Sequence, residues 1–187
     1  MFQPYFVAKL KEHNLMNKPI QNIVFDFGNV VINIDPDITL RKFKELGVTN
    51  FDSMFTIMKQ SDVFDRLDTG KITLPEFRDA IRDNSQVNLS DVQIDDAWCA
   101  MLLDFPEENV QLFGKLHAMG YKIYLLSNTN EMHIDYYTKL LQQQNGHNLL
   151  AELFDRTFYS HEIGYRKPHR EAFEYVKKAE EIGRAHV

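Results

Sequence analysis

Cysteine is nearly absent: Cys99 is the only one in 187 residues. No disulfide can form within the chain, and a reducing cytoplasm is the expected compartment. Cys99 lies in the apolar stretch Asp96-Ala97-Trp98-Cys99-Ala100-Met101-Leu102 at helical spacing, which predicts a buried, inert thiol rather than a nucleophile. Positive charge is also scarce, with 21 Lys and Arg against 27 Asp and Glu, a net −6. That balance argues against general binding to nucleic acid or anionic membranes, although a local phosphate site can still be positive. No apolar run approaches the ~20 residues of a membrane span. The segment Met1 to Lys11 lacks the basic-then-apolar order of a signal peptide. Internal repeats and low-complexity tracts are lacking, and Gln142 to Asn148 reads as a polar loop. His133, His161 and His169 show no metal-ligand spacing and read as surface or structural residues.

What the chain does have is enough apolar residue, 44%, to bury a core of one domain, or of one domain with an insert. Its most informative segment is Asn22-Ile23-Val24-Phe25-Asp26-Phe27-Gly28-Asn29. Ile23, Val24 and Phe25 form a β-branched and aromatic run, the pattern of a parallel strand buried on both faces. A carboxylate at the carboxyl end of such a strand lies where open α/β sheets bind ligands. Gly28 lets a reacting group approach the backbone. Asp26 is therefore placed like a nucleophile or a metal ligand, with a plain surface turn as the alternative. A second apolar strand, Tyr121 to Leu126, ends in Ser127-Asn128-Thr129-Asn130, and Gly164-Tyr165-Arg166-Lys167-Pro168 follows as a basic pair before a proline.

About a hundred residues separate Asp26 from Ser127, far more than one crossover helix needs. The interval reads as helices. Ile38 to Leu46 stops at Gly47, and Met54 to Lys59 follows. Leu74 to Ile81 has Thr73 as N-cap and Glu76 completing a capping box, and Ser90 caps a helix running to Leu103. Pro106 opens another helix, with Val110, Phe113, Leu116 and Met119 on one face and Gly120 as its stop. The predicted fold is α/β: a discontinuous Rossmann-like parallel sheet core over about 17–34 and 105–180, with an α-helical insert over 35–104.

The three strand-end segments, in this order, resemble motifs I to III of the haloacid dehalogenase-like hydrolases. The phrases Asp-Phe-Gly-Asn and Leu-Ser-Asn-Thr-Asn look most like the branch of bacterial sugar-1-phosphate phosphatases. The resemblance covers about Gln21 to Ala179. It implies a Mg²⁺-dependent phosphatase of small phosphorylated metabolites, with the helical insert as a cap over the strand ends that excludes water and selects the leaving group. Under it Asp26 is the nucleophile that forms an aspartyl-phosphate, and Lys167 offsets transition-state charge. Ser127 and the Asn128 backbone N–H bind phosphate, and Asp26 with the Gly28 carbonyl ligates the metal. Taken alone, Ser127-Asn128 also reads as an ordinary turn and Lys167 as one of many surface cations. Pro168 restrains Lys167 from helical conformation, while Arg166 reads as solvent-exposed.

One position departs from the resemblance. Family members usually carry a second Asp two residues after the nucleophile, as general acid for the leaving oxygen; here it is Gly28. Losing such a group typically costs a factor of about 10²–10⁴. A sugar-1-phosphate, whose anomeric oxygen is a better leaving group, suits that loss; Asp35 is a possible substitute acid or else a helix cap. The same gap motivates a different class of function, a non-catalytic phosphate-ligand sensor or interaction module. Carbon–halogen hydrolysis by Asp26 is a third reading. Residues 65–76 match an EF-hand calcium loop at positions one, six and twelve, but Leu67 and Thr69 are poor at positions three and five, so a Gly70 turn before a capped helix is expected instead.

The fourth motif of the family, a strand ending in paired acids that complete the Mg²⁺ site, is not found in the sequence after Lys167. Glu181-Ile182-Gly183-Arg184-Ala185-His186-Val187 reads as a translated sequencing adapter, and residues 1–15 as a misassigned start or a short helical extension ahead of Met16. The expectation is a core whose fourth-motif strand is missing, whose Asp26 strand is an apolar edge, and whose 187 residues alone are inactive.

Overall fold

The computed structural model describes residues 6–12 and 20–182. The expectation for Gly183 to Val187 falls outside the described residues. Among the described residues the sheet has three parallel strands, β1 (Asn22–Phe25), β2 (Lys122–Ser127) and β3 (Arg156–Tyr159), in that order. Ile23 pairs with Ile123 and Phe25 with Leu125, while Leu125 pairs with Thr157 and Ser127 with Tyr159. Strand β2 is central, and its side chains alternate. Ile123 and Leu125 join the main apolar core, whereas Tyr124 and Leu126 enter a smaller cluster with Phe158 and Val176 on the opposite face.

Strand β1 is the sheet edge among the described residues. Val24 is 43% exposed, so β1 is covered on one face only and not on both as its composition predicts. Phe25 points inward, meeting Phe113 edge-on at 5.0 Å and Phe6 at 6.1 Å. Phe6 belongs to the helical segment α1 (residues 6–12), within the stretch expected to be an extension.

Six helices follow β1: α2 (Pro36–Glu45), α3 (Phe51–Gln60), α4 (Val63–Asp68), α5 (Leu74–Ser85), α6 (Asp91–Cys99) and α7 (Glu107–Ala118). Local chemistry sets their starts. Thr73 and Ser90 form complete capping boxes with Glu76 and Gln93. Asp35 caps α2 by accepting from the Asp37 N–H at 3.0 Å, so its carboxylate serves as a helix cap. Helix α6 is shorter than expected, ending at Cys99, and Met119 is exposed beyond the end of α7. After β2 come α8 (Glu131–Asn145) and α9 (Leu149–Leu153), and after β3 come α10 (Ser160–Ile163) and α11 (Arg170–Ala179). Gln142 to Asn145 belong to the last turn of α8, which ends at Gly146 with φ +79°, rather than to a loop.

The helical segment joins the sheet through two adjacent crossings. Asn33 N–H donates to the Asp104 carbonyl (3.1 Å), Leu103 N–H to the Asn33 carbonyl (3.0 Å) and Asp35 N–H to the Met101 carbonyl (2.9 Å). Helix α6 then packs on α8. Trp98 stacks on His133 with centroids 5.6 Å apart, and the Trp98 carbonyl accepts from His133 Nε2 (3.3 Å) and Thr39 Oγ1 (3.2 Å). Burial pushes the His133 imidazole down to about 4, partly opposed by its bond to Trp98. His133 is thus neutral and structural near neutral pH. Cys99 is buried beside it, and desolvation, then Asp95 and Asp96, push its thiol up to about 12.

Candidate active site

Parallel register brings the carboxyl ends of β1 and β2 side by side, and the sequence-predicted residues gather there. Asp26 follows β1 directly, with 53% of its side chain exposed. Its Oδ1 accepts from the Phe27 N–H (2.6 Å) and meets Lys167 Nζ at 2.6 Å. Lys167 Nζ also donates to the Leu126 carbonyl (2.7 Å), one residue before the end of β2. An ammonium held between a carboxylate and a strand-end carbonyl has a fixed place.

Asn128 braces that lysine. Its Oδ1 accepts from the Lys167 N–H (2.7 Å) and its Nδ2 donates to the Lys167 carbonyl (2.8 Å). The Asn128 side chain is therefore committed to the Lys167 backbone. Ser127 is 3% exposed at the end of β2, with no described hydrogen-bond partner for its hydroxyl. Thr129 is fixed by Ser160, whose Oγ accepts from the Thr129 N–H and donates to the Thr129 carbonyl, both at 2.9 Å. The Lys167–Pro168 peptide bond is cis.

The loop after Asp26 folds back tightly. Asn29 N–H donates to the Ile32 carbonyl (2.7 Å) and Ile32 N–H to the Phe27 carbonyl (3.0 Å). The Gly28 carbonyl takes no part in that bridge. Asn29 sits at φ 56°, and its Oδ1 accepts from the Ile34 N–H (3.1 Å). A Cβ on Gly28 would stand 2.9 Å from Ile34 Cδ1, so the volume of a side chain here is filled by the isoleucine.

Arg166 departs from expectation. It is 26% exposed and tied to α4, pairing with Asp65 and reaching Asp68 at 3.8 Å. Asp68 also accepts from Asn130 Nδ2 (3.4 Å). Burial raises the Asp68 carboxyl to about 6, with the Asn130 bond opposing. Sequence reasoning missed this contact because nothing local marks which acid a distant arginine selects. The same contacts bear on the calcium-loop pattern. Asp65 is engaged by Arg166, and Glu76 accepts from Thr73 N–H (2.7 Å) and Oγ1 (2.8 Å) as the third residue of α5.

No protein-family model matches this sequence. The D-ribitol-5-phosphate phosphatase of Bacteroides thetaiotaomicron is 30% identical over 85% of this chain and 76% of its own length. A crystal structure of a HAD-family enzyme from the same organism superposes with TM-score 0.82 at 34% identity, over 89% of this chain and 81% of that one. That enzyme has also been solved in complex with magnesium and inorganic phosphate. A predicted HAD-like hydrolase of Porphyromonas gingivalis follows at TM-score 0.75 and 27% identity, over 88% and 78% of the two chains. The chain belongs to the haloacid dehalogenase-like phosphatases.

Proposed function

We propose that this protein is a Mg²⁺-dependent phosphatase of a small phosphorylated metabolite of the sugar phosphate class, working through an aspartyl-phosphate on Asp26. The observation that carries the reading is the 2.6 Å contact between Lys167 Nζ and Asp26 Oδ1 at the strand ends. Two donors already hold Oδ1, which leaves Oδ2 to attack phosphorus in line. The bond from phosphorus to the substrate's leaving oxygen breaks as it does so, and that oxygen departs as the alcohol, taking its proton from water. Lys167 then faces the negative charge that builds on the phosphoryl oxygens, with no reorganisation needed at that moment. The Ser127 hydroxyl and the Asn128 N–H donate to those oxygens. Water afterwards attacks the acyl phosphate and returns Asp26 as a free carboxylate.

The Asp26 carboxylate and the unengaged Gly28 carbonyl are hard oxygen donors on one short loop, a set that suits Mg²⁺. These two groups would supply part of the shell, and among the described residues no group of three or more His, Cys, Asp or Glu that could hold the ion is present. Bound there, Mg²⁺ would neutralise phosphate charge. The helical segment 35–104 is read as the cap, and the substrate's leaving group as its ligand. The named activity of the Bacteroides thetaiotaomicron relative, on a sugar-alcohol phosphate, supports the substrate class.

The full-length protein assayed with a panel of phosphomonoesters and Mg²⁺ tests the reading: turnover of sugar or polyol phosphates is expected, and none from Asp26→Asn. Ile34 filling the space beside Gly28 favours one second reading, a phosphate-ligand binder without turnover. Binding of phosphosugars with no hydrolysis under any metal condition would select it.

A further inference from the structure

We propose that Arg166 is a positioning residue that makes the placement of Lys167 depend on the seating of helix α4. The inference rests on the phosphatase reading. Lys167 has no freedom in its backbone, because Asn128 grips both its N–H and its carbonyl. The residue before it sends its guanidinium in the other direction, to Asp65 and Asp68 on α4. Asp68 is shared with Asn130, the N-cap of α8 and the third residue after Ser127. One acid of the helical segment therefore touches both loops that carry the predicted phosphate-binding residues. The contact continues in the backbone. Gly70, just beyond α4, lies so close to α10 that a Cβ would fall 2.4 Å from the His161 carbonyl oxygen, and His161 Nδ1 approaches the Thr129 carbonyl at 3.3 Å.

These contacts form a closed circuit: α4 to Arg166, Arg166 to Lys167, Lys167 through Asn128 to the end of β2, and Asn130 back to α4. A guanidinium serves this better than an ammonium, because its spread nitrogens reach Asp65 and Asp68 from one side chain. When α4 is seated, Arg166 holds the 164–168 loop and Lys167 Nζ stands against Asp26. When α4 lifts, Arg166 loses both partners and the loop loses its tie on that side. Turnover then requires the helical segment to be seated, independent of what its other residues recognise in the substrate.

The test separates positioning from recognition by steady-state kinetics on several phosphomonoesters that differ only in the leaving group. Asp68→Asn and Asp65→Asn, singly and together, remove the charges that Arg166 pairs with and change no residue of the 164–168 loop. The expected result is a kcat loss on the order of 10²-fold for the double variant, the scale of small misplacements of a catalytic group, equal for every leaving group. Arg166→Ala should match that loss, Arg166→Lys should restore part of it, and Arg166→Ala on the Asp65/Asp68 background should cost little more. Unchanged kcat in the folded double variant, additive losses, or a KM effect that varies with the leaving group would each overturn the proposal. Absence of turnover in the wild-type protein would instead overturn the phosphatase reading beneath it.

Discussion

Restoring a carboxyl group at Gly28 pits a steric cost against a catalytic gain, and the two magnitudes differ enough to decide the outcome. Gly28 does not occupy a left-handed conformation, so Asp is compatible with the backbone. The new Cβ meets Ile34 Cδ1 at 2.9 Å, the far end of a half-buried side chain. Turning that chain aside costs about 0.5–1.5 kcal/mol. A positioned general acid contributes about 10²–10⁴, which is roughly 3–5 kcal/mol of barrier. Gly28→Asp should therefore raise kcat/KM for phosphates of ordinary alcohols, and Gly28→Asp with Ile34→Ala should raise it further. An aryl phosphate such as 4-nitrophenyl phosphate, whose leaving group needs no proton, should gain little. The assay is kcat/KM for a matched alkyl and aryl pair across the three proteins. Equal gains for both esters, or no gain for the alkyl ester even after Ile34→Ala, would refute the view that Gly28 marks a missing proton donor.

Other outcomes follow from the same contacts. Asn128→Ala frees both ends of the Lys167 backbone and should lower kcat on the order of 10²-fold with little change in melting temperature, read by kinetics and calorimetry. Gly70→Ala should destabilise the fold by more than about 1 kcal/mol, seen in urea unfolding, because φ is +66° and the methyl meets the His161 carbonyl. His133 carries a folded value near 4 against an ordinary 6.5, so the folded state binds fewer protons between those values. Its contribution is complete above pH 6.5 and is lost as pH falls towards 4, at most about 3 kcal/mol; melting profiles of His133→Gln should be flatter over that window.

The strand-end residues were legible because their signal is local: an apolar run that stops at Asp26 or Ser127 fixes their place once the strands pair in parallel. Capping boxes at Thr73 and Ser90 were legible for the same reason. Strand β3 was not singled out, since Arg156-Thr157-Phe158-Tyr159 is too short to carry a period of its own. Val24 looks like a doubly buried residue, yet its exposure depends on what packs over that face of the sheet. The Arg166 contacts and the filling of the Gly28 space by Ile34 are tertiary choices. Each joins residues whose spacing carries no chemical pattern.

The central claim is covalent: Asp26 carries the phosphoryl group during turnover. Rapid acid quench of the full-length protein with Mg²⁺ and a turned-over phosphomonoester, followed by peptide mass spectrometry, tests it directly. A transient phosphoryl adduct on the peptide spanning Asp26, absent from Asp26→Asn and from Mg²⁺-free controls, is the predicted result. Hydrolysis at the wild-type rate by Asp26→Asn, or an adduct located on another residue, would contradict it.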